Sequence, residues 1–158
     1  MQFIAHDDAG WTGRSDLDTP HPTDGLVLTL AQWQAVRATW PATLRTGVRL
    51  TNTDDVATLV PDLQRLDLVL LSFPKWTDGR AYSQARLLRA RHRYGGELRA
   101  EGDVVVDMAP LLARTGFSSA RLRPGQDLAV ARRALRIVPA FYQGDTLQPQ
   151  PIFHRQAA

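Results

Sequence analysis

Lys75 is the only lysine among 19 basic residues. It stands in the segment Ser72-Phe73-Pro74-Lys75-Trp76-Thr77-Asp78-Gly79-Arg80-Ala81-Tyr82-Ser83. An apolar run, Leu68 to Leu71, leads into that segment and a helix-like run, Ala81 to Arg93, leads out. Read as a strand-to-helix turn, it sets Lys75 and Arg80 on either side of a helix N-terminus, where unpaired amides and the helix dipole favour negative charge. Gly79 permits close backbone approach, and Thr77 and Ser83 add hydroxyl donors. The chemistry these types serve is binding of a small oxyanion, a phosphate or a carboxylate. Asp103, in the next turn of the same kind, is read as a helix N-cap that also has the options of pairing with Arg80 or acting as a base. The competing reading pairs Lys75 and Arg80 with acids such as Asp78 or Glu101. Trp76 is read as a packed aromatic.

The helix after the turn has a second pattern. At helical spacing Ala81, Ala85, Leu88 and His92 form the buried stripe, and Tyr82, Arg86, Arg89 and Arg93 form the adjacent one. No Asp or Glu occurs between Arg80 and Arg93. Such a face is either a solvated surface or a docking site for an anionic partner.

The composition excludes several chemistries. The chain has no cysteine, so it offers no disulfide, no thiolate nucleophile and no thiolate ligation of zinc or an iron–sulfur cluster. His6, His21, His92 and His154 lack metal-ligand spacing, so no metal site is expected. No nucleophile elbow, dinucleotide fingerprint or phosphate-cradling P-loop occurs. A formal net charge of +3 suits an anionic ligand or an acidic partner, and makes nucleic acid an unlikely one. No apolar run approaches a membrane span, and the expected compartment is the cytoplasm.

The elements that must position these residues follow from 158 residues with 44% apolar content, enough for one ordinary domain. Residues 1–25 read as an arm with a short strand at Phe3-Ile4, residues 26–143 as a single α/β domain, and residues 144–158 as an irregular tail. Strands are expected at Leu26–Leu30, Val48–Leu50, Asp67–Phe73, Glu97–Ala100 and Phe117–Leu122. Helices are expected at Ala31–Thr39, from Val56 to Leu63 with a break at Pro61, from an Asp78 N-cap to Arg93, from Val104 or Met108 to Gly116, and from Asp127 to Arg136. Tyr94-Gly95-Gly96 should stop the third of these with a left-handed glycine. The alternation predicts a mainly parallel sheet with helical crossovers, either an open sheet or half of a (β/α)8 barrel. A half-barrel would leave an apolar opening and favour a homodimer.

Phe73 to Ser83, continued through Tyr94-Gly95-Gly96 to Val104 and more loosely to Tyr142-Gln143, resembles the signature of one bacterial family. That family has unknown function and is typically encoded beside the haemoprotein subunit of assimilatory sulfite reductase. Its usual label is a probable oxidoreductase involved in sulfite reduction. The resemblance implies a role in sulfate assimilation near that subunit, but no reaction and no identified cofactor. Whether the chain is itself an enzyme is therefore left open. The leading expectation is an accessory protein that docks on a redox partner or binds an oxyanion. The alternatives are an oxidoreductase with a borrowed flavin or nicotinamide, and an enzyme using Lys75, Arg80 and Asp103 on a phosphate or sulfur oxyanion.

Overall fold

The computed structural model describes residues 1–4, 10–13, 19–137, 142–146 and 148–151. His6 and His154 fall outside them. Seven strands form one sheet: β1 (Gln2–Ile4), β2 (Thr12–Gly13), β3 (Leu26–Thr29), β4 (Thr46–Leu50), β5 (Leu68–Phe73), β6 (Glu97–Gly102) and β7 (Ser119–Arg121). Their order is β1-β7-β6-β5-β4-β3-β2, and every pairing is parallel. The sheet is open. The segment expected as an arm supplies both of its edges, because β1 pairs with β7 and β2 with β3.

From β2 to β7, neighbours in the sheet are also neighbours in sequence. Right-handed crossovers that always step the same way put their helices on the same face. The core shows this directly. Trp33 of α1 (Leu30–Val36), Leu59 and Leu63 of the 3-10 helix Val56–Arg65, and Ala81 and Ala85 of α2 (Arg80–Arg86) all join one cluster. So do Leu112 of α3 (Ala109–Thr115) and Ala131 of α4 (Leu128–Ala134). The strands add Phe3, Leu28, Val48, Leu50, Val69, Leu71, Leu98 and Ala120 to it. The opposite face carries a separate small cluster, Val27, Leu68 and Leu70 with Trp11.

Local chemistry explains most boundaries. Thr29 opens α1 with a capping box: its hydroxyl accepts from the Gln32 amide and its own amide donates to Gln32 Oε1 at 2.8 Å. Asp55 caps the next helix by accepting from the Ala57 amide. Pro61, which has no N–H to donate, lies inside that helix, and Val56–Arg65 is a continuous 3-10 helix instead of two α-helical pieces. The indole of Trp33 donates to Asp62 at 3.0 Å, and Arg37 pairs with the same carboxylate at 2.9 Å. This ties α1 to the 3-10 helix.

α2 runs on into a π-turn, Leu87–Arg91, in which the His92 amide donates to the Leu87 carbonyl. The left-handed residue beyond it is Arg93 (φ 52°), and Gly95 and Gly96 do not take that conformation. Gly116 ends α3 with φ 105°, as its position in the sequence suggests.

Candidate functional site

The turn between β5 and α2 lies at the carboxyl edge of the sheet, where parallel α/β proteins bind ligands. The Asp78 carboxylate is its hub. It accepts from Arg80 through the amide (3.2 Å), Nε (3.1 Å) and a terminal nitrogen (2.7 Å), and from Asn52 Nδ2 at 2.6 Å. The Arg80 side chain, followed by its amide, holds the Asp78 carboxyl far below the usual carboxylate range. The N-cap of α2 is Gly79, one residue after the expected Asp78, and the Asp78 carboxylate still serves the helix end by accepting from the amide of its first residue, Arg80.

Asp103 does not cap a helix. It accepts from the Trp76 amide at 3.0 Å and from Arg123 at 2.8 Å, and the Trp76 amide is the first cause of its lowered pKa. Arg80 and Asp103 are thus held by different partners. Lys75, Thr77 and Ser83 are exposed, and Lys75 has no ion pair among the described residues. Trp76 is 57% exposed instead of packed.

The basic stripe divides. Arg89 turns inward and donates to the carbonyls of Gly116 (2.8 Å), Gly96 (2.8 Å) and Tyr94, with a longer contact to Ser118 Oγ (3.4 Å). Burial lowers its pKa from the ordinary guanidinium value. Gly116 admits this side chain, since a Cβ there would lie 2.3 Å from Arg89 Cγ. Tyr82 is half-buried, and its ring meets Phe73 edge-on at 5.1 Å. The π-turn rotates the helix so that Arg86, Leu87, Ala90 and Arg91 face outward, with Arg93 exposed just beyond. His92, expected in the core stripe, is half-buried at the rim of a 240 Å³ cleft with Leu66, Tyr94 and Gly96. That cleft lies at the amino ends of β5 and β6, away from the carboxyl edge.

A polar cluster on the helix-free face was not among the expected site residues. Glu101 of β6 is 8% exposed and pairs with Arg49 of β4 at 2.5 Å and with Arg121 of β7 at 3.9 Å. Arg99 is 2% exposed and donates twice to Glu97 Oε1 (2.9 and 2.8 Å), which also accepts from the Ser119 hydroxyl at 2.5 Å. The available signal was the alternation Glu97, Arg99, Glu101, which puts three charges on one face of a strand. Charged side chains are seldom buried unless paired, and these five are paired with one another.

Among the described residues no group of three or more His, Asp or Glu side chains is placed to hold a metal ion, and no helix is long and apolar enough to cross a membrane. The family described as bacterial protein of unknown function (DUF934) matches residues 47–153. The chain belongs to this family. The match begins at the second residue of β4, so in this DUF934 member the Asp78 hub, the basic helix and the Glu101 cluster all fall within it. No curated protein matches the chain.

Proposed function

We propose that this DUF934 protein is an accessory component of assimilatory sulfite reduction. It docks on an acidic surface of a redox partner through the outward face of α2 and its π-turn. The observation that carries the reading is the isolation of charge on that helix. Residues 80–93 hold five arginines and no acid. Arg86, Arg91 and Arg93 are exposed without an ion pair among the described residues. Leu87, 42% exposed, gives the arginine-ringed patch an apolar centre. Specific interfaces are built this way, with an apolar middle, a charged rim, and arginine forking onto carboxylates.

The resemblance of Phe73 to Ser83 supports the sulfite-reducing context and makes the haemoprotein subunit of sulfite reductase the first partner to test. Immobilised subunit should retain the wild-type chain at low salt and release it as ionic strength rises. The Arg86→Glu/Arg91→Glu/Arg93→Glu variant should melt as the wild type does and fail to bind. Undiminished binding by that folded variant would exclude the face.

A further inference from the structure

The helix-free face holds a second feature, independent of the docking helix. Arg49 is in register with Leu70 of β5, while Glu101 is in register with Ser72. Arg49 and Glu101 are thus separated by the whole of β5, a span of about 9.6 Å between strand axes. Their closest approach is 2.5 Å from Arg49 Nε, a charge contact without hydrogen-bond alignment, so the guanidinium reaches across β5 on the face that carries the Ser72 hydroxyl.

This posture leaves donors unused. The Arg49 side chain is 33% exposed, and its two terminal nitrogens have no protein partner among the described residues. The Ser72 hydroxyl, half-buried on the same face, has none either. Glu101, nine-tenths buried and also paired with Arg121, fixes the arginine from behind. An arginine drawn across the sheet by charge attraction to a buried carboxylate keeps its terminal nitrogens available to a ligand. The group sits near the carboxyl ends of β4 and β5, the edge where parallel sheets bind ligands.

We infer that Arg49 and Ser72 form a binding site for a small oxyanion on the helix-free face, with Glu101 as the residue that positions Arg49. The ligand takes the two terminal nitrogens of Arg49 and the Ser72 hydroxyl, and displaces no existing protein contact. The Lys75–Arg80 turn differs on that point, since an anion there has to separate Arg80 from Asp78.

Calorimetric titration with inorganic sulfate, at an ionic strength held constant with chloride, tests the site. The wild type should bind sulfate, Arg49→Gln should bind at least about 10-fold more weakly, and Ser72→Ala about 3-fold more weakly. Arg133→Gln, on the exposed side of α4, should bind as the wild type. Ser72→Ala leaves the Arg49–Glu101 pair in place, so it reads the site even if Arg49→Gln folds poorly. Absence of sulfate binding by the wild type overturns the inference. So does a loss seen only with Lys75→Ala while Ser72→Ala binds normally, which would assign the anion to the turn. Sulfate binding that survives when the docking helix is charge-reversed separates this site from the proposed interface.

Discussion

The Trp76 amide donates to the Asp103 carboxylate at 3.0 Å, which joins the turn after β5 to the turn after β6. Arg123, just beyond β7, holds the other oxygen of that carboxylate at 2.8 Å. One acid therefore braces three consecutive carboxyl-edge loops, and an acid that the sequence suggests as a helix cap is instead a clamp between loops.

Because its partners hold Asp103 below its usual pKa, the clamp stabilises the fold above the unfolded carboxylate value of about 3.9 and is lost as pH falls through the lower folded value. Asp78 follows the same sign. Amide exchange at Trp76 should stay slow, relative to intrinsic rates, from neutrality down to about pH 4 and lose protection in stronger acid. Asp103→Asn should show reduced protection at neutral pH. Protection that is the same in both proteins at pH 7 would remove the clamp.

Arg89 satisfies three carbonyls at the amino edge of the sheet. Arg89→Met keeps much of the aliphatic stem and strips those donors, so urea denaturation should show a loss of about 3 kcal/mol. Arg91→Met, at an exposed position in the same turn, should change stability by less than about 0.5 kcal/mol.

Trp33 and Asp62 couple α1 to the 3-10 helix through a buried hydrogen bond. Trp33→Phe keeps an aromatic ring, removes the indole donor and leaves Asp62 to Arg37 and Arg65. A cost of about 2 kcal/mol is expected. The Trp33→Phe/Asp62→Asn double variant should cost less than the sum of the single changes, as contacting residues do in a mutant cycle.

Gly102 ends β6 with φ 97°, and a Cβ there would lie 2.4 Å from the Phe73 carbonyl oxygen. Gly102→Ala should therefore destabilise by about 2 kcal/mol or more. It should also disturb the loop that carries Asp103, seen as altered Trp76 fluorescence. An alanine variant as stable as the wild type would contradict the close approach.

Elements made by local rules were legible in the sequence. The apolar run Leu68–Leu71 became a central strand, Gly116 took the left-handed stop, and Asp55 and Asp127 capped the helices that follow them. What depended on partners distant in sequence was not. The Asp103 carboxylate looks like a cap until the loops that hold it are in place. Arg89 belongs to a basic stripe by spacing alone, and only the carbonyls of Tyr94, Gly96 and Gly116, ahead of β6 and β7, turn it inward. The π-turn, which decides which arginines face out, has no composition of its own. The charges of β6 acquire meaning only when strand order brings Arg49, Glu101 and Arg121 onto one face.

The pairing of β1 with β7 has a consequence for how the protein is made. Gln2–Ile4 leaves the ribosome more than a hundred residues ahead of its mate Ser119–Arg121. The strands from β3 to β6 each find a neighbour as soon as the next is translated, whereas β1 waits until β7 has been made. Throughout that interval Phe3, buried in the finished core, lies bare on the nascent chain. The unfinished polypeptide thus carries a sticky segment that a chaperone could shield or another unfinished copy could capture.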